Sequence, residues 1–100
     1  MSSLYISLVT SSATMDFGYD TYLVDASSNN ITLELPESYG DGPNFIISRI
    51  DSSVNTVTII GFESGPTING QSSVSLESHQ NVKLALFSDN WYTVGGTWLS

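Results

Sequence analysis

The stretch Phe45-Ile46-Ile47-Ser48-Arg49-Ile50-Asp51-Ser52-Ser53-Val54-Asn55-Thr56-Val57-Thr58-Ile59-Ile60 decides the fold class. Phe45 and Ile47 alternate with Ile46 and Ser48, and Val57 and Ile59 alternate with Thr58 and Ile60. A repeat of two is the repeat of a strand, whose successive side chains point to opposite faces. Between the two runs, residues 51–55 are dense in Asp, Ser and Asn, whose side chains bond nearby backbone and favour turns. The segment reads as an Asx-type hairpin turn. Its clustered oxygens also fit a second reading, a loop wrapped around a cation.

The same alternation extends in both directions. Leu4, Ile6 and Leu8 alternate with Tyr5, Ser7 and Val9; Ile31, Leu33 and Leu35 with Thr32 and Glu34; Val74 and Leu76 with Ser73, Ser75 and Glu77; Val82, Leu84 and Leu86 with Lys83, Ala85 and Phe87. Turn signals separate the runs, the sharpest being Asn69-Gly70. No stretch has the 3.6-residue period of a helix. The expectation is an all-β domain of eight or nine short antiparallel strands, packed as a small, jelly-roll-like β-sandwich.

A chain of 100 residues is sized for one domain. It has no cysteine, so neither a disulfide nor a thiolate enters the argument. Ten acidic residues face only two basic ones, Arg49 and Lys83, for a net charge of −8. Nucleic-acid binding depends on neutralising phosphates with basic side chains, so it is excluded as a function class. No apolar run approaches the length of a membrane span, and Met1-Ser2-Ser3-Leu4 lacks the basic start of a signal peptide. Ser, Thr and Asn make up 34 of the 100 residues, which implies a surface of small neutral polar groups.

Catalytic chemistry finds no foothold. His79, the single histidine, is read as exposed or locally hydrogen-bonded. Glu34, Glu63 and Glu77 are read as solvated residues on or beside strands, and the six Asp are scattered without a calcium-loop spacing. Neither a metal nor a cofactor is expected. Exposed aromatics and turn amides are the candidate ligand contacts: Tyr39, Asn69, Tyr92 and Trp98. Several strands carry apolar residues on both faces, and a small sandwich buries only one face of each sheet. Ile46, Ile60, Ala85 and Phe87 are therefore the candidate subunit-interface residues.

Five pieces in order carry a family resemblance. They are Asp20-Thr21-Tyr22-Leu23-Val24-Asp25-Ala26-Ser27, Asn30-Ile31-Thr32-Leu33-Glu34-Leu35-Pro36, Phe45 through Ile59 with its Asp-Ser-Ser-Val-Asn turn, Thr67-Ile68-Asn69-Gly70, and the close, Val82-Lys83-Leu84 with Ser88-Asp89-Asn90-Trp91-Tyr92. The series resembles the recurring modules of bacteriophage tail-fibre, head-fibre and other viral appendage proteins. The resemblance covers about residues 18–95. It departs from the pattern at Asp89-Asn90-Trp91, where the last turn is tighter, and at Arg49, which stands where a basic pair is usual.

What the resemblance implies is a non-enzymatic structural module, homotrimeric, on a virion made in the host cytoplasm. Its partners would be two further copies, other virion proteins and a host-surface glycan. Residues 18–95 would form the module, 1–17 an N-terminal strand or stalk connection, and 96–100 a C-terminal tail. The competing expectation is a monomeric carbohydrate-binding module of a secreted or prophage protein.

Overall fold

A computed structural model describes residues 6–16, 20–37 and 44–97. Nine strands follow one another: β1 (Ile6–Val9), β2 (Ala13–Thr14), β3 (Thr21–Val24), β4 (Ile31–Glu34), β5 (Asn44–Arg49), β6 (Val57–Ile60), β7 (Ser73–Leu76), β8 (Asn81–Phe87) and β9 (Asn90–Gly96). The only helical element among the described residues is a single 3-10 turn, Phe62–Ser64. The strands form two sheets, one ordered β1-β3-β5-β8-β9 and the other β2-β4-β6-β7. The protein is thus all-β and sandwich-like.

The order of the strands corrects the sequence reading. Up to β6 the chain crosses to the opposite sheet after every strand, and each return lays a new strand parallel to the earlier one. Tyr22 pairs with Ile47 in the first sheet and Leu33 with Ile59 in the second. Four of the seven strand pairings among the described residues are parallel, where antiparallel pairing was expected. This is the winding of a short, flattened β-helix, in which each circuit adds one strand to each layer. Residues 6–14 supply the first circuit, with β1 and β2 contributing to the two sheets.

The last third of the chain is antiparallel. β7 pairs with β6, β8 with β5, and β9 folds back on β8. The tight turn of that hairpin holds Ser88 and Asp89 at φ 51° and 65°, the left-handed pair that a two-residue hairpin requires. At Trp91 the free side of β9 is also covered: Ile68 bridges Trp91, whose N–H donates to Thr67 O at 2.8 Å. Covering that edge removes part of a template for unwanted strand pairing.

One core lies between the sheets. It takes Val9, Tyr22, Val24, Phe45, Ile47, Val82, Leu84, Leu86 and Trp91 from the first sheet, and Ile31, Leu33, Val57, Ile59, Val74 and Leu76 from the second. Each such side chain contributes about 1.5–3 kcal/mol on burial. Tyr22, Phe45 and Trp91 form a tilted aromatic series, with centroids 6.1 and 5.6 Å apart. The Tyr22 hydroxyl stays paired: it accepts from Asp16 N at 3.0 Å and donates to Asp16 O at 2.9 Å.

Candidate functional site: an apolar sheet face and its opposite

With alternate residues of the five-stranded sheet committed to the core, those between them face outwards. Six of the eight large hydrophobic residues that are exposed lie there: Ile6, Leu8, Ile46, Phe87, Tyr92 and Val94. Phe87 is 58% exposed and Leu8 61%, so these are not rim atoms. The remaining two, Ile50 and Val54, sit in the connection after β5. Register places Ile6, Thr21, Ile46 and Lys83 in one row across β1, β3, β5 and β8, with Ala85 of β8 opposite Tyr92 of β9. Lys83 is the one charged side chain at the outward positions of these strands, among the described residues.

The outward face of the four-stranded sheet is built differently. Thr32, Thr58 and Ser75 form one row across it, and Glu34, Ile60 and Ser73 the next. The Glu34 carboxylate is fixed by two donors, the Glu63 N–H at 2.7 Å and the Thr14 hydroxyl at 2.7 Å. The Glu63 N–H first, then the Thr14 hydroxyl, hold its pKa below the usual carboxylate value.

Between the two layers, at one end, lies Arg49. It is 4% exposed, and its guanidinium is fully engaged. Nη1 donates to Leu76 O at 2.9 Å, and Nη2 donates to Ser53 O at 3.1 Å and Asn55 O at 2.6 Å. Nε donates to Asp51 Oδ1 at 3.1 Å. Asp51 in turn accepts from the backbone N–H groups of Ala26 and Ser53 and from the Ser53 hydroxyl. The Arg49 guanidinium beside it, helped by the Ser53 hydroxyl and the two N–H groups, holds the Asp51 carboxyl far below its ordinary range against the opposing effect of burial.

Residues 51–55 therefore carry an Asx turn, as expected, but not a hairpin. They form an arch from β5 in one sheet to β6 in the other. The positive charge that their oxygens surround is the guanidinium of Arg49, which leaves that cluster no call for a metal ion. Among the described residues no group of three or more His, Cys, Asp or Glu side chains is placed to hold one.

The structure sorts the sequence candidates. Ile46, Ala85, Phe87 and Tyr92 share the outward face of the five-stranded sheet. Ile60 stands apart, half-buried on the outside of the other sheet. Asn69 is exposed at its turn, but its side chain is spent on β9: Nδ2 donates to Thr93 Oγ1 at 2.8 Å and Oδ1 accepts from Thr93 N at 3.0 Å. Tyr39 and Trp98 lie outside the described residues. Sequence reasoning missed Ile6, Leu8 and Val94. No sequence signal marked the first two in β1, where the alternation favours Ile6 and Leu8 as core but Val9 is the buried residue.

No protein-family model matches the chain, and no curated protein matches it either.

Proposed function

We propose that this protein is a non-enzymatic structural module of a virion appendage, a fibre, knob or capsid-decoration domain that assembles as a homotrimer. The observation that carries the reading is the crowding of six large exposed hydrophobics onto one sheet face. Large exposed apolar side chains gathered on one face of a small domain mark a contact surface. A second copy is the fitting occupant on electrostatic grounds. Chains of charge −8 repel one another, and this face would bring two copies together with the least repulsion, since Lys83 is the one charged side chain at its outward strand positions among the described residues. Closed rotational symmetry seals such faces without leaving a free end for fibre growth. The threefold number comes from the family resemblance, as does placement on a virus particle.

Light scattering on the purified chain tests the reading. A mass three times the 10.8 kDa of one chain is expected. A mass equal to a single chain at high concentration overturns the assembly reading, and favours the carbohydrate-binding module of a secreted or prophage protein.

A further inference from the structure

The outward face of the four-stranded sheet carries a cleft of about 360 Å³, within the size range of small-molecule sites. Its lining includes the hydroxyl-bearing residues Thr32, Thr58, Thr67, Ser72 and Ser73, with Ile60 and Pro66 as apolar neighbours. No charged residue lines it. The cleft depends on a close backbone approach: at Gly61 an added Cβ would lie 2.0 Å from the Pro66 carbonyl oxygen.

Several hydroxyls elsewhere serve the protein's own structure. Ser12 caps the N–H of Thr32, Ser53 bonds Asp51, Thr14 bonds Glu34, and Thr97 accepts from Asn81 N. In the cleft only Thr67 is so engaged, donating to Asn90 Oδ1 at 3.1 Å. The hydroxyls of Thr32, Thr58, Ser72 and Ser73 have no protein partner among the described residues. Each is a rotatable donor and a double acceptor. Four of them converge beside an apolar patch, in a cleft free of charge, on a chain of net charge −8.

We propose that this cleft is a binding site for a neutral sugar residue of a glycan. A pyranose presents the complementary surface, with hydroxyls that both donate and accept around a ring whose C–H face packs on Ile60 and Pro66. Anionic sugars are disfavoured, because the cleft holds no cation to pair with them and the whole chain repels them. Single-site affinity is weak, since open hydroxyl contacts exchange with water at little net gain. The inference goes beyond the proposed function, since binding is a property of one chain and does not require the trimer. In a trimer built on the apolar face, three clefts face outwards and act together.

The test is an amide-resolved NMR titration of the full chain with the methyl glycosides of glucose, galactose, mannose and N-acetylglucosamine, alongside a printed array of neutral and acidic glycans. The expected result is a saturable shift at Thr32, Thr58, Ser72 and Ser73 with at least one neutral sugar. Thr58→Val combined with Ser73→Ala removes it by tenfold or more in affinity, with the remaining amide spectrum unchanged. Phe87→Asp, on the opposite sheet, keeps it, so loss of assembly and loss of sugar binding are read separately. Silence across all neutral sugars, a preference for sialylated or sulfated glycans, or shifts centred on Tyr92 each overturn the proposal.

Discussion

The two outward faces of this molecule come from the same kind of strand and end in opposite chemistry. On the five-stranded sheet the residues between core positions include Ile6, Leu8, Ile46, Phe87, Tyr92 and Val94, with Thr21 and Lys83 among them. On the four-stranded sheet they include Thr32, Thr58, Ser73 and Ser75, with Glu34 and Ile60 among them. The inward faces are alike in their apolar, close-packed character. The difference therefore lies outside the needs of the monomer fold, because either outer face would satisfy a lone sandwich if it were polar. A face that departs from that minimum is the one with a partner, and the face that keeps unpaired hydroxyls around a cleft is the one with room for a small ligand.

The comparison breaks most completely at Arg49, which ties the two layers together. Arg49→Ala leaves the Asp51 carboxylate buried without its partner, together with the carbonyls of Leu76, Ser53 and Asn55. Removing one member of such a pair costs about 3–5 kcal/mol, to be read from urea denaturation. A loss under about 1 kcal/mol would mean that Arg49 holds neither layer.

Phe87→Asp attacks one face alone. It puts a carboxylate into the apolar patch, and the expected outcome is a fall in solution mass to that of one chain with the strand signature in circular dichroism retained. Burying a Phe side chain is worth about 1.5–3 kcal/mol at each contact, which an introduced charge more than offsets. An unchanged mass would move the interface elsewhere.

Acid sharpens the role of the arch between the faces. Asp51 and Glu34 both have folded-state pKa values below their ordinary ones. A depressed carboxyl contributes its full stability above the unfolded value, about pH 4, and loses it as the pH falls below that. Stability should thus stay level from about pH 7 to about pH 4 and decline further down. Asp51→Asn should flatten the decline, as measured by the urea midpoint across that range. An unchanged acid limb in this variant would remove Asp51 as its source.

The smallest effect is expected at Thr58→Val on the hydroxyl face. The side chain there is half-buried, with no protein partner to lose, so stability should move by no more than about 0.5 kcal/mol. A larger change would show that the hydroxyl rows serve the fold and not a ligand.

Much of this was legible in the sequence. Alternation in 31–35, 57–60, 74–76 and 82–86 marks strands whose inward residues are the observed core. The parallel winding was not legible, because side chains alternate identically whether the neighbouring strand runs with or against them. Nor do the circuits share a length, so no fixed period betrays the repeat. In β1, Ile6 and Leu8 alternate with Ser7 and Val9, so by type Ile6 and Leu8 read as the core set although Val9 is the buried residue. Arg49 read as a leftover basic residue, since one of its acceptors, Leu76 O, arrives from a distant strand.

The sequence by itself determined that the chain is all-β, where its turns fall, and which residues of most strands are able to enter a core, because those properties follow from the two-residue repeat and local turn chemistry. Only the tertiary structure decided which sheet each strand joined, in which direction, and so which spare side chains were gathered into one apolar face and which into a hydroxyl-lined cleft. That gathering depends on contacts between residues far apart in the chain, and no local pattern encodes it.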